Sequence, residues 1–317
     1  MPMRNIVLFG RWKRENSTEI GITYYKNGSG INPVQIAQLV RPTVLAILDR
    51  EFEGSLEGEG GKKLLKVADF LLGRSDIREE DGVSFAVWWY DFDYPIYGLQ
   101  APWLSGMAQG LIAELMLAAY YLTGDSQYLS VARLAGNTLT VKVDDGGAAI
   151  YLPEGGLWFE EYAKAGTTNP MVLNGHNFAL EGLYYLCLED KDYCIPYERG
   201  LEGLKEILPR FDVGIWTHYD LVGTPANQKY QQIHVRQLHE IYDRTGDPFF
   251  LEYSNKFRIQ TFLPLSAFYR MMVYPNEMLL ITFVINSAIV FLMIRFCIYL
   301  LKKWNPLSSL KPLKQKD

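Results

Sequence analysis

Apolar residues recur at helical spacing through most of the chain. Residues 106–123, GMAQGLIAELMLAAYYLT, form a long apolar run rich in Ala, Leu and Met, all good helix formers. Gly124 ends that run, and Asp125 opens a second one, SQYLSVARLAGNTL. Aspartate suits the N-cap because its carboxylate accepts from the free amides of the first turn. The same punctuation returns in RTGDPFFLEYSNKF, where Gly246 closes a helix, Asp247 caps the next and Pro248 takes its first position. Between these two hairpins lie FALEGLYYLCL (178–188) and IPYERGLEGLKEILPRF (195–211), both with helical spacing. Strand-like pieces at 147–152 and 156–159 interrupt the pattern, and the Gly- and Glu-rich stretch 51–61 reads as a flexible surface loop.

Repeated antiparallel helical hairpins pack as a solenoid or as a closed toroid. These share a TGD mark but no fixed repeat length, which favours an irregular (α/α) toroid. The predicted class is all-α dominated, with short β pieces in the inter-helix loops. Such loops gather at one end and line a cleft.

One stretch breaks with the amphipathic pattern. Residues 278–301 read MLLITFVINSAIVFLMIRFCIYLL, with no charge from 278 to 294. A helix of about 24 residues is roughly 36 Å long, enough to cross a bilayer core with some tilt. Arg295 can snorkel toward the Lys302–Lys303 end, and Tyr274 and Trp304 flank the segment as interfacial residues do. The chain therefore divides into an N-terminal segment (1–30), a helical domain (31–270), a transmembrane helix (278–301) and a basic tail (302–317). The apolar run at 6–10 is too short for the core of a signal peptide. The lysines of the tail, Lys302, Lys303, Lys311, Lys314 and Lys316, favour a cytosolic tail. A C-terminal anchor without a signal peptide favours a cytosolic domain instead, so the single-pass membrane anchor is expected with its orientation open.

A net charge of -5 gives no support for a nucleic-acid partner. Aromatic residues make up 14 % of the chain, which suits either a cleft that stacks rings on sugar faces or an aromatic core. Cys187, Cys194 and Cys297 are odd in number and form no CxxC pair, so no zinc site or disulfide framework is expected. Cys187 and Cys194 would pair only in an oxidising compartment. His176, His218, His234 and His239 form no metal-binding spacing. In WFEEY (158–162), Glu160 and Glu161 sit among Trp158, Phe159 and Tyr162. An extended backbone alternates its side chains, so one glutamate is expected in solvent and the other in a cleft.

WFEEY is one of several blocks that resemble, in order, the C-terminal catalytic part of the D-glucuronyl C5-epimerase family. The others are NPVQIAQ (32–38), APWLSGMAQG (101–110), VLNGHNFALEGLY (172–184), YERGLEGLKEILPRFD (197–212), HYDL (218–221) and KYQQIHVRQL (229–238). Members convert glucuronate to iduronate within heparan-type glycosaminoglycan chains. The resemblance implies an (α/α) toroid with a long groove for a uronate-containing polysaccharide, and leaves a homodimer open. Animal members carry a β-sandwich after the PVQIAQ block and a membrane helix at the N-terminus. Here only residues 39–100 fill that interval, and the candidate membrane helix lies at the other end.

C5 epimerisation removes a proton from a carbon beside a carboxylate and returns it to the opposite face. Two acid–base groups must flank the ring, and the charge that develops on the substrate carboxylate needs donors or a cation. By resemblance, Glu161 is one proton-transfer group, its pKa raised by burial among aromatics. Glu160 is expected to be structural or solvated, and Tyr162 to position substrate. Tyr219 and Tyr230 match two further active-site tyrosines, with Tyr230 as the second proton-transfer group. The family has an arginine three residues after the tyrosine of its YDLR motif, and Val222 stands there instead. Arg236 and His176 are the candidate replacements, although His176 shares a helix face with Leu180 and could be packed. Asn174 and His234 match the family and would donate hydrogen bonds. Asn32 replaces an aromatic residue common before the PVQIAQ block. The resemblance thus implies a uronate C5-epimerase, with a polysaccharide lyase on the same scaffold or an inactive glycan-binding module as alternatives. No cofactor motif is present, so nicotinamide-dependent epimerisation is not expected, and no metal is called for.

Overall fold

The computed structural model describes residues 11–13, 22–25, 28–273 and 277–304. Expectations for residues 1–10, Tyr274 and the lysines from 305 onward lie outside the described residues, as does the side chain of Trp304.

Helices dominate the described residues. Two hairpins are built as their TGD marks predict. Helix α4 (Gly106–Thr123) ends at Gly124, which has a positive φ of 75°, and α5 (Ser126–Thr138) starts on Asp125, whose Oδ1 accepts from the Gln127 amide at 2.9 Å. Helix α8 (Gln228–Thr245) ends at Gly246, φ 69°, and α9 (Pro248–Gln260) starts on Asp247, which accepts from the Phe249 amide at 3.0 Å. Between them run α6 (Leu173–Glu189) and α7 (Cys194–Ile207). The NGHN sequence thus lies in the first turn of α6. Three further helices precede α4: α1 (Pro33–Gln38), α2 (Arg41–Leu48) and α3 (Glu59–Leu72). Residues 59–61, expected in a surface loop, are the start of α3, so the loop is confined to 51–58.

The β content is small. Strands β1 (Arg11–Lys13), β2 (Ile22–Tyr25) and β3 (Gly28–Gly30) form an antiparallel sheet in that order. The interval after α1 holds α2, α3 and one hairpin, β4 (Asp76–Glu80) with β5 (Val83–Val87), turned by Asp81 and Gly82 at positive φ. The expected strand pieces are present as β6 (Ala149–Tyr151) paired with β7 (Leu157–Phe159), Ala149 opposite Phe159.

The hairpins pack side by side in the order α2, α4, α6, α8, with α3, α5, α7 and α9 against them. The closest approach is between α4 and α6. A Cβ on Gly182 would lie 2.5 Å from the Gly110 carbonyl oxygen, and a Cβ on Gly110 would lie 2.5 Å from that of Phe178. A buried ionic network then ties the inner helices together. Arg41 of α2 reaches Glu114 of α4 at 3.4 Å and Glu181 of α6 at 2.5 Å, and Arg244 of α8 reaches Glu181 at 2.9 Å. A disulfide joins Cys187 near the end of α6 to Cys194 at the start of α7, with Cα atoms 4.6 Å apart. This pairing was not expected from cysteine number alone; the sharp turn between the two helices brings the two positions together.

Two helices follow the hairpins, α10 (Pro264–Val273) and α11 (Glu277–Trp304). The apolar stretch of α11, Leu280–Lys303, is long and apolar enough to cross a membrane, and none of its most apolar window is buried in the protein. It is therefore not a core helix of this chain. It packs on α10, where the rings of Phe268 and Phe283 lie 5.6 Å apart.

The α4–α6 crossing gives a stability prediction. Gly182→Ala should gain about 1 kcal/mol of helix propensity but lose about 1–3 kcal/mol to overpacking. The denaturation midpoint should fall. Gly60→Ala, near the start of α3 where the new Cβ meets only ordinary contacts of 3.6 Å or more, should leave it unchanged or higher.

Candidate active site

A cavity of about 670 Å³ opens between α1 and α8. One wall is aromatic: Tyr90, Phe92, Tyr94 and Trp103 come from the segment before α4, and Tyr162 from the loop after β7. Tyr90 stacks on Trp103 at 4.0 Å, and Tyr94 stacks on Tyr162 at 5.0 Å. The first three turns of α8 contribute Lys229, Tyr230, Ile233 and Arg236 to the lining. Asn174 and Phe178 of α6 and Arg41 of α2 complete it.

The WFEEY segment is fixed by strand pairing. The Glu160 amide donates to the Ala148 carbonyl at 2.8 Å, and the Gly106 amide at the start of α4 donates to the Glu160 carbonyl at 2.8 Å. The two glutamates do part, as alternation requires, but neither reaches solvent. Glu160 is fully buried behind the cavity. Its Oε1 accepts from the Tyr162 amide at 3.0 Å and its Oε2 from the Met171 amide at 2.9 Å, so it braces the loop into α6. Burial pushes its carboxyl up to about 7, against those two amides. The expectation of a solvated alternative for Glu160 is thus corrected: the loop is covered by α4 and α6, and both sides of it are interior.

Glu161 faces the cavity. Its side chain lies over Gly175 in the first turn of α6; a Cβ there would meet Glu161 Oε2 at 2.3 Å. That oxygen is buried and has no hydrogen-bond partner. Burial, followed by the neighbouring Glu160, pushes the Glu161 carboxyl up to about 8.

The three candidate tyrosines converge. Tyr162 and Tyr230 line the cavity, and Tyr219 lies buried between them. The Tyr162 and Tyr219 hydroxyls are 3.5 Å apart, and the Tyr219 and Tyr230 rings 4.5 Å. Burial, with the charge of Glu161, raises all three phenols above their ordinary value, so they hold their protons.

The candidate binding residues divide. Asn174 lines the cavity with its buried Oδ1 unpartnered. Arg236 lines it near the mouth, half-exposed and 3.5 Å from Glu240. His176 does not reach it. This ring is buried between Trp158, 4.1 Å away, and Phe159. Nδ1 accepts from the Phe159 amide at 3.0 Å, and Nε2 lies 3.2 Å from the Gly200 carbonyl. Burial pulls its pKa down to about 3, so it is neutral and locks β7 to α6 and α7. The packed alternative, the face shared with Leu180, is the one realised. His234 is also fully buried outside the lining, its Nδ1 3.5 Å from Thr217 Oγ1, with its pKa pulled down to about 3 by burial. Val222 is 62 % exposed on a loop outside the lining. Asp220 holds that loop by accepting from the Gly223 and Thr224 amides, and the Tyr97 hydroxyl donates to it at 2.6 Å. The Val222 position therefore presents nothing to the cavity.

Sequence reasoning missed Arg41. Its guanidinium lines the cavity, sits 4.9 Å over the Phe178 ring and is held by Glu114 and Glu181. Its only sequence signal is a lone arginine in the apolar run after PVQIAQ. Asn32, replacing an aromatic, also lines the cavity while capping α1 through Gln35.

Residues 81–259, more than half of the chain, match the family model described as D-glucuronyl C5-epimerase C-terminus. Over 208 residues the chain is 34 % identical to an uncharacterized protein of Methanocaldococcus jannaschii, covering 62 % of this chain and 66 % of that one. Over 157 residues it is 32 % identical to the D-glucuronyl C5-epimerase of Caenorhabditis elegans, covering 43 % of this chain and 25 % of that one. The chain thus spans less than two thirds of the length of either relative. Among solved structures, it is similar to a GH76 α-mannanase of Bacteroides thetaiotaomicron (TM-score 0.46, 14 % identity, 79 % of this chain and 71 % of that one). It is also similar to an unsaturated glucuronyl hydrolase of Streptococcus agalactiae (TM-score 0.43, 18 % identity, 83 % and 76 %). By the match over 81–259, the chain belongs to the D-glucuronyl C5-epimerase family.

The buried Glu161 has a pH signature. Its folded pKa, about 8, lies above the ordinary carboxyl value of 4.5. The native state therefore favours the protonated form. The stability this brings is present below pH 4.5 and lost as pH rises through about 8. Glu161→Gln removes that loss. The difference in Tm, variant minus wild type, should grow more positive from pH 5 to pH 9 in thermal denaturation.

Proposed function

We propose that this family member inverts C5 of glucuronate residues within a polysaccharide, by proton removal on one face of the ring and return on the other. The observation that carries the reading is Glu161: a buried, cavity-facing carboxyl with an unpartnered oxygen, in the same cavity lining as Tyr230. A cavity of about 670 Å³ is within the range of about 300–1,000 Å³ usual for small-molecule sites. Its aromatic wall suits the apolar faces of sugar rings.

In this reading the Glu161 carboxylate takes the C5 proton, and the electron pair of the C–H bond moves into the substrate carboxylate. A pKa near 8 makes Glu161 a base strong enough to share that proton and leaves it partly ionised near neutral pH. Tyr230, whose burial keeps its phenol protonated, delivers a proton to C5 from the opposite face. The C–H bond re-forms inverted. Glu161 has then gained a proton and Tyr230 has lost one, and exchange with water resets both. Arg41, Lys229 and Arg236 are the cations of the cavity lining able to meet the substrate carboxylate, with Asn174 and Tyr162 orienting it. Residues 31–270 form the catalytic domain on an (α/α)-toroid scaffold. The α11 helix anchors it in a membrane, and the disulfide Cys187–Cys194 favours an oxidising compartment for the domain, with the lysines after α11 on the cytosolic side.

A lyase would begin with the same abstraction and then expel the 4-linked sugar. Incubation with glucuronate polymers in deuterated water separates the outcomes. Deuterium should enter C5 without chain cleavage, faster at pH 8 than at pH 6. Glu161→Gln should slow uptake by about a hundredfold to ten-thousandfold, with Glu160→Gln costing stability first. Unsaturated uronate ends would establish the lyase instead. Polymer binding with no exchange and no cleavage would reduce the protein to a glycan-binding module. Protease added to sealed membrane vesicles with their cytosolic face outward should spare the domain until detergent opens them; digestion without detergent would place it in the cytosol.

A further inference from the structure

The amphipathicity of α10 is reversed. In a helix packed on a soluble domain, the apolar stripe faces inward. Here Ser266 and Arg270 face the protein and are buried, while Leu265, Phe268 and Met272, spaced i, i+3, i+7, face outward. Leu265 is 57 % and Met272 66 % exposed. The stripe runs back through Phe262, 71 % exposed, to Ile259 at the end of α9.

The inward face is specifically bonded. The Ser266 hydroxyl donates to the Ile215 carbonyl at 2.5 Å. The Arg270 guanidinium stacks 4.5 Å from the centre of the Trp216 ring, pairs with Gln228 at the start of α8, and donates through Nε to the Ser266 carbonyl. These bonds fix which side of α10 points away from the domain. A rotation that buried the apolar stripe would break them and leave a guanidinium on the outside of Trp216.

Three residues separate α10 from α11, which is long and apolar enough to cross a bilayer. Whatever surrounds the start of α11 also meets α10. We propose that the stripe from Ile259 to Met272 lies in the membrane interface, its side chains in the boundary between headgroups and acyl chains, while Ser266 and Arg270 clasp the catalytic domain. The proposal rests on α11 being a membrane span. It makes α10 an interfacial helix of the kind whose apolar face sinks a short way into the lipid. Because Gln228 precedes the cavity-lining Lys229 and Tyr230, this clasp would fix the α8 wall of the cavity relative to the bilayer surface.

Nitroxide labels test this in the full chain with Cys297→Ser, reconstituted in phosphatidylcholine–phosphatidylglycerol vesicles. Single cysteines replace Leu265 or Met272 in α10, Leu292 in α11, and Ile77, an exposed apolar residue on the β4–β5 hairpin. Power saturation compares access of oxygen and of a water-soluble nickel complex. Labels at 265 and 272 should gain oxygen access and lose nickel access relative to the label at 77, at a shallower depth than the label at 292. Nickel access at 265 and 272 equal to that at 77, with 292 deep in lipid, would overturn the proposal and leave the span intact. Nickel access at 292 as well would overturn both. Loss of access to both reagents at 265 and 272 would mean a protein surface covers the stripe, which also overturns it.

Discussion

The α4–α6 contact is the constraint from which the cavity hangs. Gly110 and Gly182 carry no side chains, so the two backbones touch. Any larger residue would separate the helices. The same two helices hold neighbouring residues of the WFEEY loop: the first amide of α4 is bonded to the Glu160 carbonyl, and the first turn of α6 supplies the bare Gly175 over which Glu161 lies. Moving α6 outward by one side chain would carry Gly175, Asn174 and Phe178 away from Tyr162 and Glu161. The geometry around Glu161 is therefore set by packing some two turns of helix away from it.

Close packing of that kind takes the acids inside it largely out of solvent. Glu160 is satisfied by two backbone amides, which is the ordinary condition for a buried polar group. Glu161 is not, and Glu114 lies fully buried with its carboxyl pushed up to about 8 by burial and by Glu181 despite Arg41. Of these two raised acids, Glu161 lines the cavity, while Glu114 lies behind it against Arg41. Removing one partner from a buried ion pair typically costs about 3–5 kcal/mol, because the remaining charge is stranded. The network of Arg41, Glu114, Glu181 and Arg244 accordingly holds α2, α4, α6 and α8 in one register, and it does so directly beneath the site.

Much of this was legible in the chain itself. The TGD marks gave both hairpins nearly to the residue, because glycine at a positive φ and an aspartate cap are local requirements. The apolar run at 278–301 gave α11 for the same reason. Glu161, Tyr162, Tyr230 and Asn174 were named by resemblance and Arg236 as a replacement for the arginine missing at Val222, and all five line one cavity. Burial and bonding were not legible. Alternation correctly parted Glu160 from Glu161, yet it could not reveal that α4 and α6 cover both sides. His176 was read as a replacement cation and His234, by resemblance, as a donor to substrate; tertiary packing used the nitrogens of His176 for Phe159 and Gly200 and buried His234 outside the lining. The Asp81–Gly82 pair between two β-rich runs was a readable hairpin turn. Arg41 was not readable, since its placement depends on carboxylates from α4 and α6, 73 and 140 residues further on.

The placement of Arg41 changes what the substitution at Val222 means. A valine in place of a cation would be damaging if the position faced the ring. Asp220 and Tyr97 instead hold the loop so that Val222 points to solvent. Positive charge enters the cavity from α2, on the far side of α6 from α8. A guanidinium fixed by two carboxyls and a phenylalanine ring needs little rearrangement to meet an incoming anion, which is the condition for effective electrostatic stabilisation. Burial and Glu181 push the Glu114 carboxyl up, which weakens its hold on Arg41. The raised Glu114 carboxyl and the place of Arg41 in the cavity lining are then two consequences of one buried cluster.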